Sequence, residues 1–196
     1  MDFSDSKRRL NVGCGRNIMP GWINLDIAAL PGVDVVADLE KCASIPLPIE
    51  SDSVDEFLLS HLIEHINNTL PLMQELHRVA KPNAQLVIRC PHGASDDAWE
   101  DPTHVRVFFA QSFGYFSQPY YWRADYGYRG DWQPARIIYA VEGRLYQGVN
   151  LETLGQQIAT QRNIVREMIA ELVAIKPIRQ PLRELQTPPR LEIAYV

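Results

Sequence analysis

The 196-residue sequence predicts an α/β fold built on a mostly parallel sheet. Short apolar segments recur through the first half of the chain, and several of them end on a glycine or an acid. A segment with helical spacing separates two of these apolar runs. Alternation of strand, helix and strand is typical of a parallel sheet covered by helices. Apolar residues make up 46% of the chain, which is enough for one core, and we expect a single domain over residues 1–196.

The first half of the chain contains five predicted strands and one predicted helix. The strands are short apolar runs at residues 10–12, 22–26, 33–38, 54–60 and 85–90. A helical pattern at residues 61–66 follows the fourth strand. The main helix begins at Asn68 or Thr69 and has an apolar face formed by Leu72, Leu76 and Val79.

The second half contains fewer clear elements. Residues 136–146 have the pattern of a strand or hairpin, and residues 191–196 that of a final strand. Between them, apolar residues at helical spacing predict a helix that Pro177 ends, and they are Leu154, Ile158, Val165, Ile169 and Leu172.

Charge and composition exclude several classes of protein. Lys and Arg number 19 against 24 acids, which gives a net charge of −5 and disfavours a nucleic-acid binder. No apolar run is long enough to span a membrane, and residues 1–9 lack the apolar core of a signal peptide. The three cysteines have no metal-ligand spacing. We therefore expect a reduced, cytoplasmic protein without a membrane partner.

A glycine loop and two acids follow the first three strands. Gly13 and Gly15 come directly after the first strand, Asp26 ends the second and Asp38 ends the third. A dinucleotide site fits poorly, because Ile18 stands at the place of the third glycine. Two interpretations remain: a tight turn without a ligand, and a nucleoside site in which Asp26 accepts from ribose hydroxyls and Asp38 from an adenine amino group.

Several segments together resemble the motifs of class I S-adenosylmethionine-dependent methyltransferases, especially small members with the motif LNLGCG. The segments are LNVGCGRN, INLD, VVADL, SVDEFLLSHLIEH and HRVAKPNAQLVIR. The resemblance implies a Rossmann-like, doubly wound, seven-stranded αβα sandwich whose last strand is antiparallel, and residues 191–196 suit that strand. It implies S-adenosylmethionine as cofactor, with Asn11 replacing the usual acid of the first motif. The implied cofactor site comprises Asn11, Gly13, Cys14, Gly15, Asp26, Ile27, Asp38, Leu39 and Ser60.

A competing motif overlaps the end of the fourth strand. His61, Glu64 and His65 spell H-x-x-E-H, an inverted zinc-peptidase pattern, in which the two histidines lie one helical turn apart. The pattern is short, needs a third ligand from elsewhere, and falls within the methyltransferase-like stretch. We therefore expect no metal site.

The aromatic residues are unevenly distributed. Of the 18 aromatic residues, 12 lie between Trp99 and Trp132, in an aromatic-rich insert, residues 91–133, that we place between strands five and six. The rings suit a small core under a lid, a stacking surface for a ring or sugar, or a subunit interface. The insert has three arginines against six acids, which disfavours a polyphosphate or nucleic-acid acceptor.

Within the insert, Asp101-Pro102-Thr103-His104 resembles a DPTHxR stretch of the same small methyltransferases. Asp101 can orient the ring of His104, which makes His104 a candidate general base, with His61 as the other candidate. A purely structural Asp–His hydrogen bond is an equal alternative.

These observations lead to one expected function and one alternative. We expect a methyltransferase that acts on a small-molecule or carbohydrate-like acceptor. The alternative is a methyltransferase-like binding or assembly module without turnover, with a homodimer formed through the insert.

Overall fold

The computed structural model describes residues 7–196. The expectation that residues 1–9 are not a signal peptide therefore falls mostly outside the described residues. Eight strands form one sheet: β1 (Arg9–Val12), β2 (Ile23–Asp26), β3 (Val35–Val36), β4 (Val54–Ser60), β5 (Ala80–Pro91), β6 (Trp132–Val141), β7 (Val165–Ala174) and β8 (Arg190–Tyr195). Their order is β3-β2-β1-β4-β5-β7-β6-β8, and β1 to β5 are parallel. The predicted fold class, a doubly wound, mostly parallel α/β sheet, is confirmed.

The strand count and two assignments need correction, because the sheet has eight strands and not seven. The antiparallel strand is β7, which pairs antiparallel with both β5 and β6. Residues 190–195 instead pair parallel with β6 at the edge. The helix predicted across β7 is wrong. Apolar Ile169 lies on the half-exposed face of this strand, so the sequence lacks the alternation of apolar and polar residues that identifies a strand.

Four α-helices are present: α1 (Thr69–Val79), α2 (Asp97–Glu100), α3 (Gly143–Tyr146) and α4 (Leu151–Thr160). Helix α1 confirms the predicted main helix, and its apolar side is fully buried. The helical pattern at residues 61–66 forms only a 3-10 turn, Ile63–His65. The helix predicted through Leu172 ends at Thr160 as α4.

The hydrophobic core lies on one face of the sheet. Leu10, Phe57, Leu86 and Leu172 are nearly or fully buried, and the strand register places them on the same face. Trp132 is fully buried there, and its Nε1 donates to the carbonyl of Met73 in α1 at 2.9 Å. The sheet and α1 therefore share one core.

The opposite face is more thinly covered. Its β1–β2 part lies under residues 13–22, which replace a crossover helix. Further along, this face has charged pairs, such as Arg89 with Glu167 and Arg136 with Glu171. These side chains are half-buried or exposed, so the helical cover is concentrated on the core face.

The aromatic segment lies between β5 and β6, and its rings divide into two groups. Those buried in the core are Phe108, Phe113, Phe116, Tyr121 and Tyr128. Those exposed are Trp99, Phe109, Tyr115, Trp122 and Tyr126. Five rings of the segment are thus buried and five exposed, while Tyr120 is intermediate. Within residues 7–196, no helix is both long and apolar enough to cross a membrane.

Candidate functional site

The strand order brings the predicted site to one edge of the sheet. The carboxyl ends of β3, β2, β1, β4 and β5 are neighbours there. At β1, Gly13 has φ of +67°, and a Cβ atom on it would lie 2.5 Å from Leu62 Cδ1. Gly15 has φ of +52° and open space where a side chain would be. The loop therefore needs glycine conformations at both positions and leaves room beside Gly15.

Asp26, at the end of β2, is held by the same loop. Its Oδ2 accepts from the Gly15 backbone N–H at 2.7 Å, and its Oδ1 accepts from Ala28 N–H at 2.9 Å. Each carboxylate oxygen keeps a further lone pair for a ligand hydroxyl. Ile27 is 67% exposed beside it, an apolar side chain left free at this edge. Asp26 therefore presents acceptor lone pairs beside an exposed apolar side chain at this edge.

Other predicted cofactor residues have structural tasks. Asn11 is buried and donates to Asn17 O and Asn24 Oδ1, so its amide N–H groups are both used. Cys14 and Leu39 are buried in the core, and burial raises the pKa of the Cys14 thiol. Only the backbone of Cys14 can therefore contribute to the loop surface.

Asp38 begins a 3-10 turn, Leu39–Lys41, at the end of β3. Its Oδ1 accepts from Glu40 N–H at 3.1 Å, and its Oδ2 lies 3.0 Å from Lys41 Nζ. The hydrogen bond with Lys41 lowers the pKa of this carboxyl, so it is ionised at neutral pH.

Ser60 and His61 lie where β4 ends. His61 adopts φ of +50°, a conformation that non-glycine residues rarely take and that occurs often at functional sites. His61 Nε2 lies 2.9 Å from Glu167 Oε1, and its Nδ1 lies 3.5 Å from Glu64 Oε1. Glu64 and Glu167 raise the pKa of His61 against its partial burial, which favours the protonated ring.

The structure brings His104, from the insert, close to Glu64 and His65 of the H-x-x-E-H segment. Ligand atoms of Glu64, His65 and His104 lie within 4.8 Å of one another. The backbone of the insert is pinned to this group, because Val105 N–H and Arg106 N–H both point to Glu64 O, at 3.0 and 3.3 Å. His61 and His65 do not share an α-helical face, so the zinc arrangement considered for H-x-x-E-H does not form. The H-x-x-E-H motif includes Glu64 and His65, whereas the proximity of His104 follows only from the tertiary structure.

The orientation of His104 has a different origin from the predicted one. Its Nδ1 lies 3.3 Å from Ala98 O, whereas its Nε2 is 3.9 Å from Asp101 Oδ2. Asp101 instead accepts from the backbone and hydroxyl of Thr103, which lowers the pKa of Asp101. The hydrogen bond to the Ala98 carbonyl therefore orients the ring of His104, and Asp101 orients Thr103.

His92 follows β5 and lies in the wall of a cavity. Its Nδ1 accepts from Ala94 N–H at 3.2 Å, and burial lowers its pKa, so it is neutral. Phe109 packs edge-on against it at 5.1 Å between ring centroids.

Two cavities flank Phe109. One, of about 440 Å³, lies within the insert and has aromatic walls that include Phe109, Tyr115 and Tyr126. Thr69 and Arg106 also line it, and the backbone N–H of Arg106 lies 3.3 Å from Glu64 O. The other, of about 660 Å³, lies between α4 and β8 and is lined mainly by apolar residues, including Tyr139 and Ile158.

The negative charge of the insert is largely compensated. Four of its six acids form ion pairs with arginines, namely Asp96–Arg162, Asp97–Arg166, Asp125–Arg129 and Asp131–Arg179. The charge argument against an anionic acceptor is therefore weaker than the composition suggests.

Comparison with known proteins gives one match at the level of sequence. Residues 10–88 match the model of a family described as "Methyltransferase domain". No curated protein sequence matches the chain.

Solved structures share the fold. A SAM-dependent methyltransferase from Archaeoglobus fulgidus is 18% identical, with a TM-score of 0.59 over 85% of this chain and 86% of that one. A SAM-dependent methyltransferase from Aquifex aeolicus is 16% identical, with a TM-score of 0.52 over 86% and 82%. Phosphoethanolamine N-methyltransferase 2 from Haemonchus contortus, in complex with S-adenosyl-L-methionine, is 13% identical, with a TM-score of 0.54 over 87% and 49%. At these identities the likeness concerns the fold alone.

Proposed function

We propose, from the premise that this chain is a class I S-adenosylmethionine-dependent methyltransferase, that its acceptor is a hydroxyl group of a small, carbohydrate-like molecule. The observation that carries the proposal is the aromatic cavity of about 440 Å³, one of whose lining residues, Arg106, contacts the turn after β4 through its backbone N–H and Glu64 O. Its volume is in the range of small-ligand pockets. Aromatic walls with polar side chains among them, such as Thr69, Gln111 and Ser112, suit a sugar ring, whose faces are apolar and whose edge has hydroxyls.

The cofactor site lies at the ends of β1 to β4. Asp26 would accept from the ribose hydroxyls, and exposed Ile27 would pack on the adenine. The open space beside Gly15 would take the methionine part, and Ser60 lies at the end of the neighbouring strand. Asp38 is available to the adenine amino group only if it shares its carboxylate with Lys41. The bound cofactor supplies a sulfonium methyl group that is already activated for displacement.

The chain's own contribution is mainly positioning and exclusion of water. The aromatic walls hold the acceptor ring and cover it from solvent. Donation from Nδ1 to Ala98 O leaves the Nε2 lone pair of His104 free, so it can accept the hydroxyl proton. His61 is less suitable as a base, because its two carboxylate neighbours favour the protonated ring.

Cofactor binding is tested by calorimetry with S-adenosylmethionine on the wild type and Asp26→Ala. We expect the variant to bind about 30-fold more weakly or worse, because it loses charge-assisted hydrogen bonds worth about 2 kcal/mol. Asp52→Ala is the matched control, since Asp52 is an exposed acid that pairs with Lys176 away from this edge. Equal affinity of the wild type and Asp26→Ala would contradict the assigned site.

The acceptor site is tested by release of S-adenosylhomocysteine with a panel of monosaccharides, glycosides and simple amines. Gln111→Trp would fill the aromatic cavity, and Ala159→Trp would narrow the larger one at the same cost in exposed apolar surface. We expect turnover with hydroxyl acceptors that Gln111→Trp abolishes and Ala159→Trp preserves, with cofactor affinity unchanged in both. The reverse pattern would place the acceptor in the larger cavity, and turnover with amines alone would contradict a hydroxyl acceptor.

A further inference from the structure

The carboxylate of Glu64 is buried without a hydrogen-bond partner. Its side chain is 2% exposed, and neither oxygen has a hydrogen-bond partner among the described residues. Its one charged neighbour within residues 7–196 is His61, whose Nδ1 is 3.5 Å from Oε1 and whose Nε2 pairs with Glu167. A buried carboxylate is costly unless a cation or several donors compensate it. Because His61 is shared between two carboxylates and lies beside Oε1 alone, Glu64 points to a further cation beside it.

Hydrogen bonds prepare His65 to bind that cation. Thr103 Oγ1 donates to Asp101 Oδ1 at 2.6 Å, so it accepts from His65 Nδ1, 3.0 Å away. The Thr103 carbonyl is also within 3.3 Å of this nitrogen. His65 thus donates from Nδ1 and keeps the lone pair of Nε2. Metal-binding histidines are commonly oriented in this way, by a second hydrogen bond on the far side of the ring.

His104 is prepared in the same manner. Its Nδ1 donates to the Ala98 carbonyl at 3.3 Å, which leaves Nε2 with a free lone pair. Its side chain is only 9% exposed. The rings of His65 and His104 meet edge to face, with centroids 4.7 Å apart.

We propose that Glu64, His65 and His104 bind one divalent transition-metal ion. Their ligand atoms lie within 4.8 Å of one another, and atoms bound to one ion through bonds of about 2.1 Å are roughly 3 to 4 Å apart. Small side-chain rotations therefore close the site. Two imidazoles and one carboxylate select Fe²⁺, Mn²⁺, Co²⁺ or Zn²⁺ over Mg²⁺ and Ca²⁺, and three protein ligands leave coordination positions open.

The use of those open positions rests on the proposed function. An acceptor hydroxyl bound to the ion would have a lowered pKa and lose its proton to solvent. The oxygen lone pair then forms the O–CH₃ bond while the C–S bond breaks and its electron pair passes to sulfur. In this state His104 Nε2 holds the metal and is not the base. The metal site itself stands on Glu64 and the two histidines alone.

The site is tested on the full chain, purified without a histidine tag and stripped with a chelator. Titration with Zn²⁺ or Mn²⁺ against an indicator dye, without S-adenosylmethionine, should give about one equivalent per chain with a Kd below about 1 µM for Zn²⁺. Glu64→Gln and His104→Asn should each weaken binding at least about 100-fold. Substoichiometric binding, or binding that neither variant changes, would overturn the proposal.

His92→Gln is the matched control. It removes another buried histidine of the same sheet edge, whose side-chain contacts are with Ala94, Phe109 and Tyr139 and with none of the three ligands, so its metal affinity should stay within about threefold of wild type. Loss of binding in His92→Gln equal to that in His104→Asn would assign the ion to another ligand set and overturn the proposal.

A thermal measurement separates ligation from folding. Metal should raise the Tm of the wild type and not that of Glu64→Gln. Without metal, Glu64→Gln should melt at or above the wild type, because it removes a buried charge that His61 compensates only in part. A lower Tm of metal-free Glu64→Gln, together with an unchanged metal response, would show a structural role and contradict the site. Calorimetry with S-adenosylmethionine on the stripped protein reports the proposed function separately, since its cofactor site shares no residue with this group.

Discussion

Asn11 Nδ2 donates to Asn24 Oδ1 at 3.0 Å across the neighbouring strands β1 and β2. Both side chains are almost fully buried on the sheet face opposite the core. Asn24 also bonds the backbone of Met19 and Trp22, and Asn11 that of Asn17. Two side-chain amides thus make the hydrogen bonds that the backbone of residues 13–22 would make internally in a crossover helix. This need for N–H donors explains why an amide and not an acid stands at position 11.

Replacing Asn11 by aspartate tests this network. A carboxylate cannot donate to Asn17 O or Asn24 Oδ1, so Asn11→Asp should lower the free energy of unfolding by about 2–4 kcal/mol. Urea unfolding at pH 7 measures the change. Asn83→Asp, at an exposed position of β5, is the control and should change stability much less. Equal stability of Asn11→Asp and wild type would show that the amide is not needed.

The contact of Gly13 with Leu62 makes a second prediction. An alanine there would be strained at φ of +67° and would displace Leu62, so Gly13→Ala should cost about 2–4 kcal/mol and weaken S-adenosylmethionine binding more than tenfold. Gly21→Ala has similar backbone strain at φ of +79° but open space, so it should cost about 1 kcal/mol and leave the affinity unchanged. Calorimetry and urea unfolding check both, and equal effects of the two variants would refute the steric argument.

The ion pair between Asp131 and Arg179 ties the end of the insert to the segment after β7. Asp131 is fully buried and accepts from the backbone and side chain of Arg179 and from Gln118 N–H. Asp131→Ala removes the charged partner of Arg179 and leaves two backbone N–H donors, those of Gln118 and Arg179, without an acceptor, so it should cost about 3–5 kcal/mol. Asp125→Ala breaks an exposed pair with Arg129 and should be neutral within error. Thermal unfolding of both variants measures the difference, and similar Tm values for Asp131→Ala and Asp125→Ala would contradict a stabilising role of the buried pair.

His77 predicts a stability that depends on pH. It is buried against Ile175 O, with Lys176, Asp131 and Asp52 nearby, and burial lowers its pKa from the ordinary 6.5. Unfolding therefore takes up a proton on His77 at acidic pH, so the contribution of His77 to stability is constant above about pH 6.5 and falls below it. His77→Gln should remove up to about 1.4 kcal/mol per pH unit of that slope between pH 6.5 and the lower folded pKa. Urea unfolding at pH 7.5 and 5.5 measures this, and an identical slope in the variant would exclude His77 as a cause.

The exposed rings of the insert predict a homodimer. Trp99 and Tyr126 are 63% and 72% exposed, so an interface through the insert would bury them. Trp99→Ser with Tyr126→Ser should then convert a concentration-dependent dimer to a monomer in light scattering. Arg144→Ser, at an exposed site on α3, is the control. A wild type that stays monomeric at high concentration would refute the dimer.

The local elements that the sequence predicted well are those with a strong period or a strict backbone demand. The spacing of Leu72, Leu76 and Val79 predicted α1, and the glycines at 13 and 15 predicted the loop after β1. Strand β7 was missed because its second face is partly apolar, which destroys the alternation that identifies a strand.

The candidate site likewise contains residues that the sequence predicted and residues that it did not. Asp26 was predictable because it ends a strand in a parallel sheet, where the carboxyl ends meet at one edge. The group of Glu64, His65 and His104 was not, because its members come from the turn after β4 and from the insert, and only the backbone bonds of Val105 and Arg106 to Glu64 bring them together.

The sequence by itself determined the parallel α/β sheet, the glycine loop with its acids, and the position of the aromatic insert, since these depend on local periodicity and backbone conformation. The tertiary structure decided which aromatic rings are buried, which insert acids are paired with arginines, and that Glu64 lies near His65 and His104 without a hydrogen-bond partner in the described part of the chain. These features arise from contacts between residues distant in the chain, and local patterns contain no record of such contacts.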